Sequence, residues 1–154
     1  GAFLESVRLD RRDEADSPLP PVMTGEIYRN AVLLGSDELT PLSLGSFTVK
    51  PDTFRQFRNG WTSAAPGAPL VFELNCRTAQ LLIHRSIDPS AGTGKAVVEA
   101  NGQTAEYEMN AFFENGWGDY AFAVPVFRSE TPQKIRISVY DTDRTFTLLR
   151  VMFA

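Results

Sequence analysis

Side chains able to do chemistry are few in this chain, and their spacing limits what they could do. The one histidine, His84, lies in the apolar run Leu81-Leu82-Ile83-His84-Arg85. A nucleophilic relay needs a serine on a sharp turn with a histidine to activate it. No Gly-x-Ser-x-Gly is present, and Gly35-Ser36-Asp37 has its letters in the wrong order for a Gly-Asp-Ser nucleophile turn. His84 therefore reads as a strand-surface or partly buried histidine and not as a catalytic base. The single cysteine, Cys76, ends an apolar stretch and reads as a buried core thiol. One Cys and one His cannot assemble a structural zinc site. Calcium needs only oxygen ligands, and Asp88, Asp141 and Asp143 sit in expected turns. Asp141-Thr142-Asp143 spaces two carboxylates like the start of a calcium loop, but the glycine and distal glutamate of such a loop are missing. An ordinary polar turn is the expectation there. No metal and no cofactor is expected.

Recognition chemistry is better represented. Arg55-Gln56-Phe57-Arg58-Asn59-Gly60-Trp61 and Asn115-Gly116-Trp117-Gly118-Asp119-Tyr120 both place Asn-Gly-Trp just before a strand region. An indole offers a flat face for a pyranose ring, and planar polar groups nearby match its hydroxyls. Trp117, Trp61, Asn115, Asp119 and Arg55 are thus the candidate carbohydrate contacts. The competing reading, which has the greater weight at each loop, is a tryptophan that plugs the end of the core while Asn and Gly make the turn.

These loops must be carried by strands. From about Tyr28 onward, short apolar runs alternate with turn residues. Residues 31–34 form one run, closed by Gly35-Ser36-Asp37, and residues 44–50 form another, stopped by Pro51. Leu70, Phe72, Leu74 and Cys76 alternate with Val71, Glu73 and Asn75, the period of a strand. Residues 79–87 follow as a separate run. Residues 95–100 and 103–109 flank Asn101-Gly102, the preferred pair for a two-residue type I′ hairpin. In this hairpin Ala96, Val98, Ala100, Ala105, Tyr107 and Met109 are expected to face inward. Tyr120, Phe122, Val124 and Val126 mark a further strand, and Ile135, Ile137 and Val139 another. Phe146 and Leu148 begin the last, whose parity shifts at Leu149 and predicts a bulge or burial on both faces. Eight or nine strands with short turns exclude βαβ folds.

Residues 3–15 differ, with Phe3, Leu4 and Val7 on one side of a short helix and charges elsewhere. Pro18, Pro20 and Pro21 stop it and favour extended backbone. The expected organisation is a helix remnant and linker over residues 1–27 and a β-domain over 28–154. Gly1 reads as a tag remnant, so the natural start lies elsewhere. A net charge of −4 over 154 residues argues against nucleic acid, which requires a basic face, and gives no reason to expect a membrane surface. No run of 18 apolar residues is present. The compartment stays open.

The stretch 61–109 resembles the jelly-roll ancillary domains of bacterial SGNH (GDSL-type) esterases. The likeness lies in Trp61, Pro66-Gly67, the strands Leu70-Val71-Phe72-Glu73-Leu74 and Ala79-Gln80-Leu81-Leu82-Ile83, and the Asn101-Gly102 hairpin. Asn115-Gly116-Trp117-Gly118 and Lys134-Ile135-Arg136-Ile137 extend it, and Tyr28-Arg29-Asn30-Ala31 after the prolines is similar to the join with a preceding catalytic domain. The family's Gly-Asp-Ser-Leu and Asp-x-x-His blocks have no match, so its catalytic residues are not carried over. The resemblance implies a two-sheet antiparallel sandwich of jelly-roll type. It also implies a non-catalytic, carbohydrate-binding-like module beside an esterase domain that acts on acylated polysaccharide. Its partners would be a polysaccharide or oligosaccharide and that neighbouring domain. The alternative is a structural domain that packs on a catalytic domain or mediates dimerisation and has no ligand of its own.

Overall fold

The structure, a computed structural model, describes residues 30–154. The expected helix at 3–15, the proline linker and the boundary at residue 27 lie outside these residues. Eight strands follow in order: β1 (Val32–Leu34), β2 (Thr48–Lys50), β3 (Gly60–Ser63), β4 (Leu70–Arg85), β5 (Thr93–Ala100), β6 (Gln103–Asn110), β7 (Tyr120–Asp143) and β8 (Phe146–Phe153). Every pairing between them is antiparallel. The chain is all-β, a two-sheet sandwich, as the alternation of its apolar residues requires. Among the described residues no helix is long and apolar enough to cross a membrane.

Two strands build both sheets. The runs at 70–76 and 79–87, expected as separate strands, are one strand, β4, and the two runs at 120–126 and 135–139 are one strand, β7. Their ladder changes register between Cys76 and Thr78 and again between Ala79 and Gln80. Opposite Arg77, the partners jump from Gln133 to Arg128, so residues 129–132 of β7 stand against a single residue of β4. Extra residues on one strand bend a ladder and strengthen its twist. Beyond that corner the neighbours differ. Residues 135–143 of β7 pair with β5, and β5 pairs with β6. Residues 79–83 of β4 pair with β8, whose other edge holds β3 along its first half and β1 along its second.

The two layers meet side chain to side chain. Trp61 of β3 is fully buried and meets Phe72 of β4 edge to face, with ring centroids 5.1 Å apart. A Cβ at Gly94 of β5 would fall 2.6 Å from the ring of Phe146 on β8, so the glycine makes room for that ring. The core between the layers takes Phe47, Leu70, Leu81, Ile83, Met109, Ile137 and Val151 among others.

Local expectations hold in most places. Asn101 and Gly102 both have positive φ, 54° and 73°, as a type I′ turn demands. Ala96, Val98 and Met109 face the core, but Ala105 is exposed on β6, an edge strand of which only Met109 is fully buried. The bulge expected at Leu149 is present: Leu82 pairs with Arg150 and Ile83 with Leu148, and both Leu148 and Leu149 are buried. The strand expected over 44–50 is only Thr48–Lys50.

Candidate functional site

One end of the sandwich gathers the loops that precede β3 and β7. The first loop closes on itself: the backbone N–H groups of Phe54 and Phe57 each donate to the other's carbonyl, at 3.2 and 2.8 Å, and Asn59 N–H donates to the Pro51 carbonyl at 3.0 Å. Arg55 takes the left-handed conformation at its tip (φ 50°), and Asp52 and Arg58 pair across its base. Arg55 is exposed, with its guanidinium carbon 4.8 Å from the centre of the Phe54 ring.

Phe54 in turn stacks on His84, with ring centroids 4.5 Å apart and planes 21° from parallel. His84 Nε2 lies 3.0 Å from Asp119 Oδ2, which joins the first loop to the second through β4. Asp119 Oδ1 accepts from Ser86 Oγ at 3.0 Å and more weakly from Ile87 N–H at 3.4 Å. Burial pushes the Asp119 carboxyl up, but the hydrogen bonds from Ser86, His84 and Ile87 outweigh it and hold the group below the usual carboxylate range. Ser86 Oγ donates to Asp119 and accepts from Asp88 N–H at 3.0 Å. Its hydroxyl is therefore committed to the carboxylate and not to His84, and the three residues do not form a nucleophile relay.

The second loop projects the other tryptophan. Trp117 has a relative exposure of 107%, the full extent of an isolated residue. Asn115 beside it is also exposed. The loop is braced from within, since a Cβ at Gly116 would fall 1.9 Å from the Phe113 ring, so only glycine fits there. The sequence candidates thus divide. Trp117, Asn115, Asp119 and Arg55 belong to the same two loops at one end. Trp61 does not join them: it is fully buried between the layers and presents no face to a ligand, so the core-plug alternative is the one the fold realises.

Two groups escaped the sequence reading. One is a shallow depression of about 260 Å³ on the outer face of the β3–β8–β4 layer, lined by His84, Asp119, Ser86, Lys50 and several threonines. Its signal was present in the alternation of β3 and β8, where Thr62 and Thr147 face away from the core. The other is an aromatic patch around Arg85, whose guanidinium carbon lies 5.2–5.5 Å from the rings of Phe113, Tyr120 and Phe122. Arg85 also donates to the Tyr120 hydroxyl at 2.8 Å. Tyr120 and Phe122 stay about two-fifths exposed on an edge segment of β7 that pairs only with β4.

Each carboxylate considered for calcium makes a local contact. Asp88 Oδ1 accepts from Ser90 N–H at 2.9 Å, and Asp141 Oδ1 accepts from Asp143 N–H at 2.9 Å. Asp143 pairs with Arg144. Among the described residues no group of three or more His, Cys, Asp and Glu side chains is placed to hold a metal ion.

No family model and no curated protein matches this chain. Solved structures do. A two-domain esterase active on acetylated mannans matches over 99% of this chain with a TM-score of 0.69 at 18% identity. Its form co-crystallised with mannopentaose matches with a TM-score of 0.66 at 19% identity, again over 99% of this chain. A family two carbohydrate esterase from Cellvibrio japonicus matches over 80% of this chain with a TM-score of 0.51 at 11% identity. The chain spans 43%, 42% and 33% of those proteins. At such identities the likeness establishes a shared fold.

Proposed function

We propose that this domain is a non-catalytic, carbohydrate-binding-like module, ancillary to an SGNH-type esterase that acts on acylated polysaccharide. The observation that carries the reading is the Trp117 indole, wholly exposed beside the anchored carboxylate of Asp119. A large apolar ring left in water on a braced loop has no packing role, and it suits a pyranose face. Asp119 and Asn115 supply planar polar groups near it, and Arg55 reaches toward the same end from the neighbouring loop. The module would hold glycan while a tethered catalytic domain works nearby, which raises the effective substrate concentration without new catalytic groups. The likeness of fold to a minor share of a mannan-active esterase supports this arrangement.

The test is affinity electrophoresis of the purified domain through soluble plant and bacterial polysaccharides, acetylated glucomannan among them. Retardation that vanishes in Trp117→Ala is the expected result. No retardation in any polymer would reject the module.

A second reading has its own observation. Tyr120, Phe122, Phe113 and Arg85 form an exposed apolar patch on an edge segment of β7, the kind of surface that marks contact with another protein. A purely structural domain would show no glycan binding, and replacing Tyr120 and Phe122 by serine would weaken its association with the catalytic domain.

A further inference from the structure

The depression on the outer face of the β3–β8–β4 layer has a chemistry of its own. Thr62 and Thr147 are register partners that face away from the core, and their hydroxyls meet at 3.0 Å. The β4–β8 ladder ends at Ile83 and Leu148, and the residues next to them, His84 and Thr147, both line the depression. Lys50 borders the same space from β2, and Asp119 closes it from the loop before β7.

The groups are held in place. Asp119 is fixed by three hydrogen bonds. His84 Nε2 is held at that carboxylate, and Phe54 covers its ring. The threonines are β-branched and stiff at χ1 on a strand. Thr62 Oγ1 lies 3.5 Å from the Phe146 carbonyl and 3.0 Å from Thr147 Oγ1, so the pair can commit its hydroxyl protons internally and turn its oxygens to the depression as acceptors, with the Lys50 ammonium at the rim as a donor. Lys50 is balanced by Asp119 and Asp88, so an anion gains nothing there. A volume of about 260 Å³ lies near the lower end of small-ligand sites and suits one sugar ring, not an extended chain.

We propose that this depression is a carbohydrate subsite that takes one neutral pyranose residue with free hydroxyls and rejects the same residue when it is O-acetylated. The proposal rests on the glycan-binding reading above and assigns it a ligand class. An ester oxygen has no proton to donate, so acetylation leaves a threonine oxygen, whose own proton is spent internally, facing a group that only accepts. A site built to hydrogen-bond a hydroxyl discriminates strongly against an analogue without it. The module would then anchor its enzyme on bare or already deacetylated stretches of the polymer.

The experiment compares four gels: acetylated glucomannan, acetylated xylan, and each polymer after mild alkaline deacetylation. The wild-type chain should bind at least one deacetylated polymer about tenfold more tightly than its acetylated form, the effect of about one unmatched hydrogen bond. The variant T62V/T147V, which keeps the branched shape, should lose that preference while retaining the weaker Trp117-dependent retardation. Emission from the buried Trp61 reports whether the variant is folded. Equal or tighter binding of the acetylated forms, or an unchanged preference in folded T62V/T147V, would overturn the subsite. Trp117-dependent retardation without any preference overturns the subsite alone. Absence of retardation in all four gels overturns the glycan-binding reading with it.

Discussion

The two tryptophans allow a contrast within one chain, because the sequence places both after Asn-Gly and the fold treats them oppositely. Trp61 is fully buried against Phe72, and Trp117 is fully exposed. Trp61→Ala removes the largest fully buried side chain and opens a cavity between the layers. Substitutions of that kind cost about 3–5 kcal/mol. For a chain of this size each kcal/mol shifts Tm by about 2–4 °C, so a fall of about 6–20 °C is expected. Trp61→Phe should cost less, since it leaves a smaller void and removes an indole N–H that is buried without a partner. Trp117→Ala should move stability by no more than about 0.5 kcal/mol, the usual range for a surface side chain, and yet abolish glycan retardation.

Urea unfolding followed by fluorescence separates these outcomes, because each variant keeps one tryptophan. In Trp117→Ala the remaining emitter is buried, so its emission should begin blue-shifted and move red through a cooperative transition. In Trp61→Phe the remaining emitter is already in water, so its emission maximum should scarcely change while far-ultraviolet circular dichroism records the same unfolding. A loss above about 2 kcal/mol in Trp117→Ala, which is beyond ordinary surface effects, would refute the reasoning. It would mean that Trp117 packs against the domain and is no ligand platform.

Three titratable groups give further expectations. The lowered Asp119 carboxyl contributes stability that is fully present above the ordinary value of 3.8 and lost as pH falls through its folded value, and the slope of Tm against pH in that acid range should flatten in Asp119→Asn. Asp141 runs the other way. Burial pushes its carboxyl up and Oδ2 finds no partner, so its ionisation costs stability as pH rises from 3.8 through the raised folded value. Asp141→Asn keeps the acceptor for Asp143 N–H and removes the buried charge, so it should stabilise the domain at neutral pH, a gain that shrinks in acid; Asp141→Ala, which loses the acceptor, should not reproduce it. Burial pushes the Cys76 thiol up to about 11, so a thiol reagent at pH 8 should label it only after unfolding; labelling at the rate of a free thiol in the native state would contradict its place in the core.

How far the sequence carries can be read from particular residues. Alternation and turn chemistry are local, so the Asn101-Gly102 hairpin, the Leu149 bulge and the all-β class were legible without coordinates. Fusion of the runs around Arg77 was not, because that corner is set by residues 129–132 on a strand fifty positions away. The same limit applies to the site. Asn-Gly-Trp gives a turn and an indole but not which side of the backbone the indole takes. The second strand position of β3 points Trp61 inward against Phe72; Trp117 precedes its strand and escapes that rule. His84, read alone, was a strand-surface or partly buried histidine with no serine turn for it to activate. Its meaning depends on Asp119, thirty-five residues later, and on Phe54, thirty residues earlier. What the fold adds is juxtaposition: it joins two loops of recognition chemistry through a histidine that neither contains, and turns Thr62 and Thr147 outward together. Asp119, two residues after Trp117 and bonded to both His84 and Ser86, is the group that ties the loop of the exposed indole to the polar depression.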